Sequence, residues 1–399
     1  MKQKTINSIL EGDCLDVMAA IAPASIDLIY LDPPFFTGKK HTLKNKARTQ
    51  EFSFDDIWGN NKNYAEFLAA RLAVMRGLLK DEGSLFFHCD KSGEHIVRAV
   101  LDQVFGSNNF QAEIIWSYKR WSNSKKGLLP AHQNIYFYSK SKHFKFNTIY
   151  TSYSEATNID QILQRRTRDQ HNKSVYDTDS NGKFKHGDEK KGVPLNDVWD
   201  IPYLNPKAKE RVGYPTQKPI LLLERIIDLV TDIGDIVLDP FCGSGTTCVA
   251  AKLKERHFIG IDQSNEAVQL AMQRLESMTR TDSNLLKKGR QSYLTADPAA
   301  LSLLQGIAYN PVQRNKGIDA ILVQQFNNTP VLVRVQKENE SITDAATLLA
   351  KAMKTKQSQK SILIQTENSS PAQYRLPNIK GMEILKSPAL QIKEQLTKN

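Results

Sequence analysis

Asp32-Pro33-Pro34-Phe35 follows an apolar run at 25–31 and puts a carboxylate, two prolines and an aromatic ring in a row. The prolines remove two backbone donors and end any strand ladder, so the four residues would serve as a plain strand-to-loop junction. They would also serve to hold an amine. Its N–H groups could donate to the Asp32 carboxylate and the Pro33 carbonyl, which leaves the nitrogen lone pair free and aimed. The prolines would stiffen that arrangement, and Phe35 would offer a flat face on which a planar base can stack.

A second stretch, running from Asp239 and Phe241 through Gly243 and Gly245 to Thr246, is a glycine loop between a strand and a helix. Thr246 stands where a P-loop needs Gly-Lys. Cys248 replaces the third glycine of a dinucleotide fingerprint, which weakens a pyrophosphate reading. Two glycines then let a ligand approach the backbone beside Asp239. Asp262, ending the next strand, is placed to accept ribose hydroxyls. A ribose-bearing ligand without a pyrophosphate fits, and S-adenosylmethionine is the commonest; a packing glycine turn is the alternative. In a doubly wound sheet the strand ends carrying Asp32 and Asp239 would lie side by side, with the amine in line with a sulfonium methyl.

The elements that must position these residues read as alternating α and β. Residues 25–31 form a buried strand. Phe67, Leu68, Leu72, Met75 and Leu79 make a helical stripe that stops at Gly83, and an apolar strand follows at 84–89. Helix then strand, repeated, predicts a parallel α/β sheet. Strands at 113–118 and 134–140 flank a basic loop that starts at Lys119 and Arg120. Periodicity fades over 150–210, where 177–192 reads as least structured. An amphipathic helix at 219–230 and one βαβ unit at 235–262 restore it, and a helix at 265–278 follows.

Composition sets the outer limits. The 399 residues are 40% hydrophobic and 24% charged, as in globular proteins of two or three domains. No apolar run suits a membrane span or a signal peptide, which predicts a cytoplasmic protein with no membrane partner. Cys14, Cys89, Cys242 and Cys248 lack both metal-ligand and disulfide spacing, so no metal site is expected. The net charge is +11, and residues 119–191 carry 15 Lys and Arg against 7 Asp and Glu, interleaved with aromatics. That mixture suits a phosphate-neutralising surface or an ordinary solvated basic face.

Together these motifs resemble the DNA amino-methyltransferases, which move a methyl group from S-adenosylmethionine to the exocyclic nitrogen of adenine or cytosine. Asp32-Pro33-Pro34-Phe35 is similar to the family's catalytic tetrapeptide, and 239–246 to its cofactor loop. Residues 214–219, with Thr216, Gln217 and Lys218, are similar to the segment that closes over the cofactor's methionine part. The order of motifs resembles the β class, which implies a circularly permuted, doubly wound, mostly parallel seven-stranded Rossmann-like sheet over 1–280. Asp13 would then lie near the cofactor's adenine, and about 147–210 would be the target-recognition insert for double-stranded DNA. Arg165, Arg166 and Arg168 would reach phosphates or base edges of a DNA whose target base is flipped out, or else form a solvated helix face. The initial aspartate favours adenine N6, with cytosine N4 the alternative. Residues 52–58 also resemble the family, without a physical role legible from sequence.

A linker at 281–294 and a small C-terminal α/β domain at 295–399 complete the chain. Residues 317–337 resemble the core of endonuclease-like domains, in which Asp319 and Lys337 would keep two parts of a magnesium site. Val335 stands at the carboxylate position, so one aspartate is left for a hard cation. An accessory domain is expected, with a separate restriction endonuclease as candidate partner. A modification subunit active only with such a partner is the competing reading.

Overall fold

The computed structural model describes residues 5–44, 51–118, 127–151, 164–185, 187, 191–205, 208–214, 216–281, 295–313, 315–367 and 379–397. The chain forms two compact units, 1–286 and 287–399.

In the first unit an eight-stranded sheet is built from β1 (Ser8–Glu11), β2 (Ile26–Leu31), β3 (Leu79–Cys89), β4 (Phe110–Ser117), β5 (His132–Ser139), β6 (Val198–Asp200), β7 (Ile236–Asp239) and β8 (His257–Asp262). Its order is β1-β8-β7-β2-β3-β5-β4-β6. Pairing is parallel except on both sides of β5. The sheet is therefore the expected mostly parallel, doubly wound type, with β6 as a short eighth strand on one edge.

Both faces are covered, which is why β2 is buried at every position. Leu28 and Tyr30 face a cluster that includes Leu223, Ile226 and Ile227 of the helix Ile220–Val230. Ile26, Ile29 and Leu31 face the opposite cluster, with Leu68, Leu72 and Met75 of the helix Asn61–Leu78. Leu79, read from sequence as helical, begins β3 instead, and Tyr64 and Leu78 complete the buried helical stripe. Asn60 caps this helix by accepting the Asn63 N–H at 2.9 Å.

The polar region is more ordered than its composition suggests. Arg166–Arg168 pairs with Ser174–Tyr176, and Thr178 bridges Phe184. Two turns ten residues apart use the same device. Asp169 accepts the N–H groups of His171 and Lys173, and Asp179 those of Asn181 and Lys183, all at 2.8–2.9 Å. The stretch read as least structured thus holds a defined turn.

The second unit carries a five-stranded sheet in chain order, from Tyr309–Pro311 to Met382–Lys386. Its Ala320–Leu322 and Val331–Val335 strands are joined through Asn327 and Asn328, both at positive φ as a tight hairpin requires. Lys337 donates to Asp319 at 2.8 Å and to Asp297 at 3.0 Å. An ammonium therefore lies between the two carboxylates. The expected linker at 281–294 falls almost wholly outside the described residues.

Candidate active site

β7 and β2 lie side by side and parallel, with Leu28 opposite Val237 and Ile29 opposite Leu238. Their carboxyl ends deliver Asp239 and Asp32 to one edge, where the strand order switches direction and ligands bind in such sheets. A cavity of about 370 Å³ opens there. The whole Asp32–Phe35 tetrapeptide lines it, as does every residue expected at the cofactor from sequence except Gly245.

The tetrapeptide is fixed from behind. The Tyr64 hydroxyl donates to the Pro34 carbonyl at 2.8 Å. Asp56, which is fully buried, accepts the N–H groups of Phe36 and Thr37 at 2.7 Å, the Thr37 hydroxyl at 2.6 Å and the Trp58 indole N–H at 2.9 Å. Phe36 can therefore be held at φ +69°, an unusual conformation for a bulky residue. Residues 52–58 thus acquire the role that sequence reasoning missed: their aspartate clamps the loop after the tetrapeptide.

Burial raises the Asp32 carboxyl above its ordinary value and the Lys218 ammonium opposes that shift. Lys218 Nζ donates to Asp32 Oδ2, and the lysine side chain is 7% exposed. The segment at 216–218 thus reaches the tetrapeptide as well as the cofactor region. Asp32 Oδ1 is buried and has no hydrogen-bond partner among the described residues. His88 Nδ1 lies 4.0 Å from it but is engaged by the Tyr30 hydroxyl at 2.8 Å. Burial, then the Lys218 charge, push the His88 ring far below the usual imidazole range, so it is neutral. Its ring lies 5.8 Å from that of Phe35.

The carboxylates on the other side of the cavity shape the glycine loop. Asp239 accepts the Phe241 N–H at 3.0 Å and the Thr247 hydroxyl at 2.5 Å, and burial pushes its carboxyl up to about 7. Asp262 accepts the Gly243 and Ser264 N–H groups at 2.8 and 2.9 Å. Asp13 caps its helix through Leu15 N–H at 2.8 Å and accepts Arg71 at 2.7 Å.

The glycines act differently from the sequence expectation. A Cβ on Gly243 would meet the Tyr214 ring at 2.9 Å, and one on Gly245 the Ala271 Cβ at 2.6 Å, both at positive φ. Close packing inside the fold requires both, and only Gly243 also lines the cavity where a ligand can approach. Gln217 likewise turns its amide to the backbone, accepting Val212 N–H and donating to the Glu210 carbonyl.

The expected DNA contacts divide. Lys119 and Arg120 lie outside the described residues. Arg165, Arg166 and Arg168 are exposed and belong to a strand region, not a helix face. Arg166 stacks over Tyr176 at 4.8 Å, Arg168 donates to the Asn172 carbonyl at 2.9 Å, and Arg165 lies 3.6 Å from Asp177.

The family of DNA methylases that act on N6 or N4 matches residues 26–273, which span the strand of Asp32, the cavity and the glycine loop. The chain belongs to this family. Similar curated proteins include the type II methyltransferase M.HpaI of Haemophilus parainfluenzae, 31% identical over 63% of this chain and 69% of that protein. The DNA adenine methyltransferase YhdJ of Escherichia coli is 29% identical over 73% of this chain and 94% of its own length. Among solved structures, the PvuII DNA methyltransferase, described as cytosine-N4-specific, covers 69% of this chain and 88% of its own at 18% identity and TM-score 0.45. This DNA methylase uses S-adenosylmethionine and modifies an exocyclic amine of DNA. No described helix is long and apolar enough to cross a membrane.

Proposed function

We propose that this DNA methylase modifies the N6 amino group of adenine within a short DNA sequence, with Asp32 and the Pro33 carbonyl as acceptors for the flipped base. One observation carries the reading. Asp32 lines the cavity, and its Oδ1 is buried without a hydrogen-bond partner among the described residues, a state that costs about 1–3 kcal/mol until a donor arrives. An amino group is such a donor, and its lone pair stays free because both acceptors take its hydrogens. The aspartate, in place of the serine commoner on cytosine-N4 enzymes, and the similarity to an adenine enzyme support adenine.

The residues present fit S-adenosylmethionine. Each Asp262 oxygen accepts one N–H and keeps a lone pair for a ribose hydroxyl. Phe67 and Phe241, 6.3 Å apart, give the cavity two aromatic walls, and Asp13 lies on its rim. Bound there, the cofactor supplies an electrophilic sulfonium methyl.

The 147–210 insert is the target-recognition segment in this reading, with Arg165, Arg166 and Arg168 on phosphates. The second unit is an accessory domain, since Lys337 fills the position between Asp297 and Asp319 that a magnesium ion would need. The protein works in the cytoplasm beside a cognate restriction endonuclease. Expression in a host without DNA methylation, followed by single-molecule sequencing, tests the proposal. It predicts N6-methyladenine at one short motif, and N4-methylcytosine would overturn the choice of base.

A further inference from the structure

Lys218 sits in the segment that family resemblance assigns to the cofactor, yet its ammonium bonds Asp32 Oδ2 and also donates to the Thr216 carbonyl at 3.3 Å. The ammonium lies 5.4 Å over the Phe35 ring as well. One lysine thus touches both working residues of the tetrapeptide. With Oδ2 taken, the second carboxylate oxygen, Oδ1, is the one left without a partner among the described residues, on a residue that lines the cavity.

We infer that Lys218 is a positioning residue for the reaction: it anchors Asp32 by one oxygen and so presents the other to the target amine. This deepens the proposed function and rests on Asp32 being the amine acceptor. The division of labour follows from valence. A carboxylate free to rotate about its last bond would offer either oxygen in many directions, whereas one pinned by an ammonium offers the lone pairs of one oxygen in set directions.

The same contact preserves the acceptor's chemistry. A protonated carboxyl would donate a hydrogen bond and compete with the amine. Desolvation and the neighbouring Asp90 charge both push Asp32 toward that protonated form, and Lys218 opposes them. The other ionisable groups around Asp32 give no such help. Asp239 is a second buried acid, the Tyr30, Tyr64 and Tyr214 phenols are held above their usual range, and the His88 ring is held neutral. Removal of the ammonium therefore moves the loss of Asp32 charge to higher pH.

The test measures labelled methyl incorporation from S-adenosylmethionine into unmethylated bacterial chromosomal DNA, as kcat against pH, beside cofactor Kd from calorimetry and the melting temperature. For Lys218→Met the expected result is a kcat at neutral pH at least ~10-fold below wild type, an acid limb shifted upward by about one unit or more, and partial recovery in alkali. Lys218→Arg should restore the wild-type profile. Lys218→Gln, which keeps a donor without charge, should still show the upward limb, and so carries the test if the Met variant fails to fold. A rise in cofactor Kd with an unmoved pH profile would overturn the inference and return Lys218 to a cofactor role. An Asp32→Asn variant with wild-type turnover would instead overturn the reading of Asp32 itself.

Discussion

Asp56 accepts the backbone N–H of Phe36 at 2.7 Å across twenty residues of sequence, and this bond ties the end of the strand Glu51–Asp56, paired antiparallel with Lys39–Lys44, to the loop that carries the tetrapeptide. Three further donors, from Thr37 and Trp58, converge on the same carboxylate. Asp56→Ala leaves all four donors without their acceptor; a buried unpaired donor costs about 1–3 kcal/mol, and water entering the vacated space would satisfy part of them. The variant should lose about 2–4 kcal/mol of stability in urea titrations and at least ~10-fold in kcat, with cofactor affinity changed less. Equal losses in cofactor binding and turnover would show that the clamp serves the whole cavity.

Gly245 lies in the cofactor loop but outside the cavity lining, packed on Ala271 at φ +72°. Gly245→Ala brings a Cβ within 2.6 Å of the Ala271 Cβ. Left-handed strain and overpacking together should cost about 2–4 kcal/mol, read as a lower melting temperature. Calorimetry on the folded fraction should give a cofactor Kd within about threefold of wild type, since a shift below ~0.7 kcal/mol is that small.

Asp239 supplies a pH signature. Its folded carboxyl is raised from 3.8 to about 7, so the folded state holds a proton that the unfolded chain has released. The contribution of this group to stability is therefore full below about pH 4 and is lost as pH rises to about 7. Asp239→Asn keeps an acceptor for Phe241 N–H and removes the titration. Between pH 4 and 7 the stability of wild type relative to the Asn variant should fall, with a slope approaching 1.4 kcal/mol per unit. Parallel curves would contradict the buried acid.

Arg166 and Arg168 share one face of their strand, two residues apart. If they meet phosphates, alanine at either position should weaken DNA binding about equally for specific and random duplexes and reduce the slope of log K against log salt by about 0.9. Loss of sequence preference instead would place them on base edges.

Much of this arrangement was legible in sequence because short-range patterns encode it. The apolar run before Asp32 and the βαβ unit ending on Asp262 mark three strands. Helix-separated strands pair in parallel, so Asp32 and Asp239 had to meet at one edge. The Asp56 clamp and the Lys218–Asp32 contact were not legible. They join residues far apart in the chain, and neither an aspartate after a strand nor a lysine before a proline announces its partner. The packing role of Gly245 was hidden for a related reason: glycine is visible in the sequence, but whether its missing Cβ makes room for a ligand or for Ala271 depends on a helix that arrives later. The turns at Asp169 and Asp179 were hidden because polar composition resembles disorder until a side chain closes on its own backbone.

In the proposed reaction Asp32 receives the target amine and does not hold the cofactor. Asp32→Ala, assayed for labelled methyl transfer to unmethylated chromosomal DNA and, in parallel, for equilibrium binding of S-adenosylmethionine, tests it directly. Transfer should fall by at least ~1000-fold, with cofactor Kd changed less than about threefold. Retained transfer, or transfer lost in step with cofactor binding, would contradict that role of Asp32.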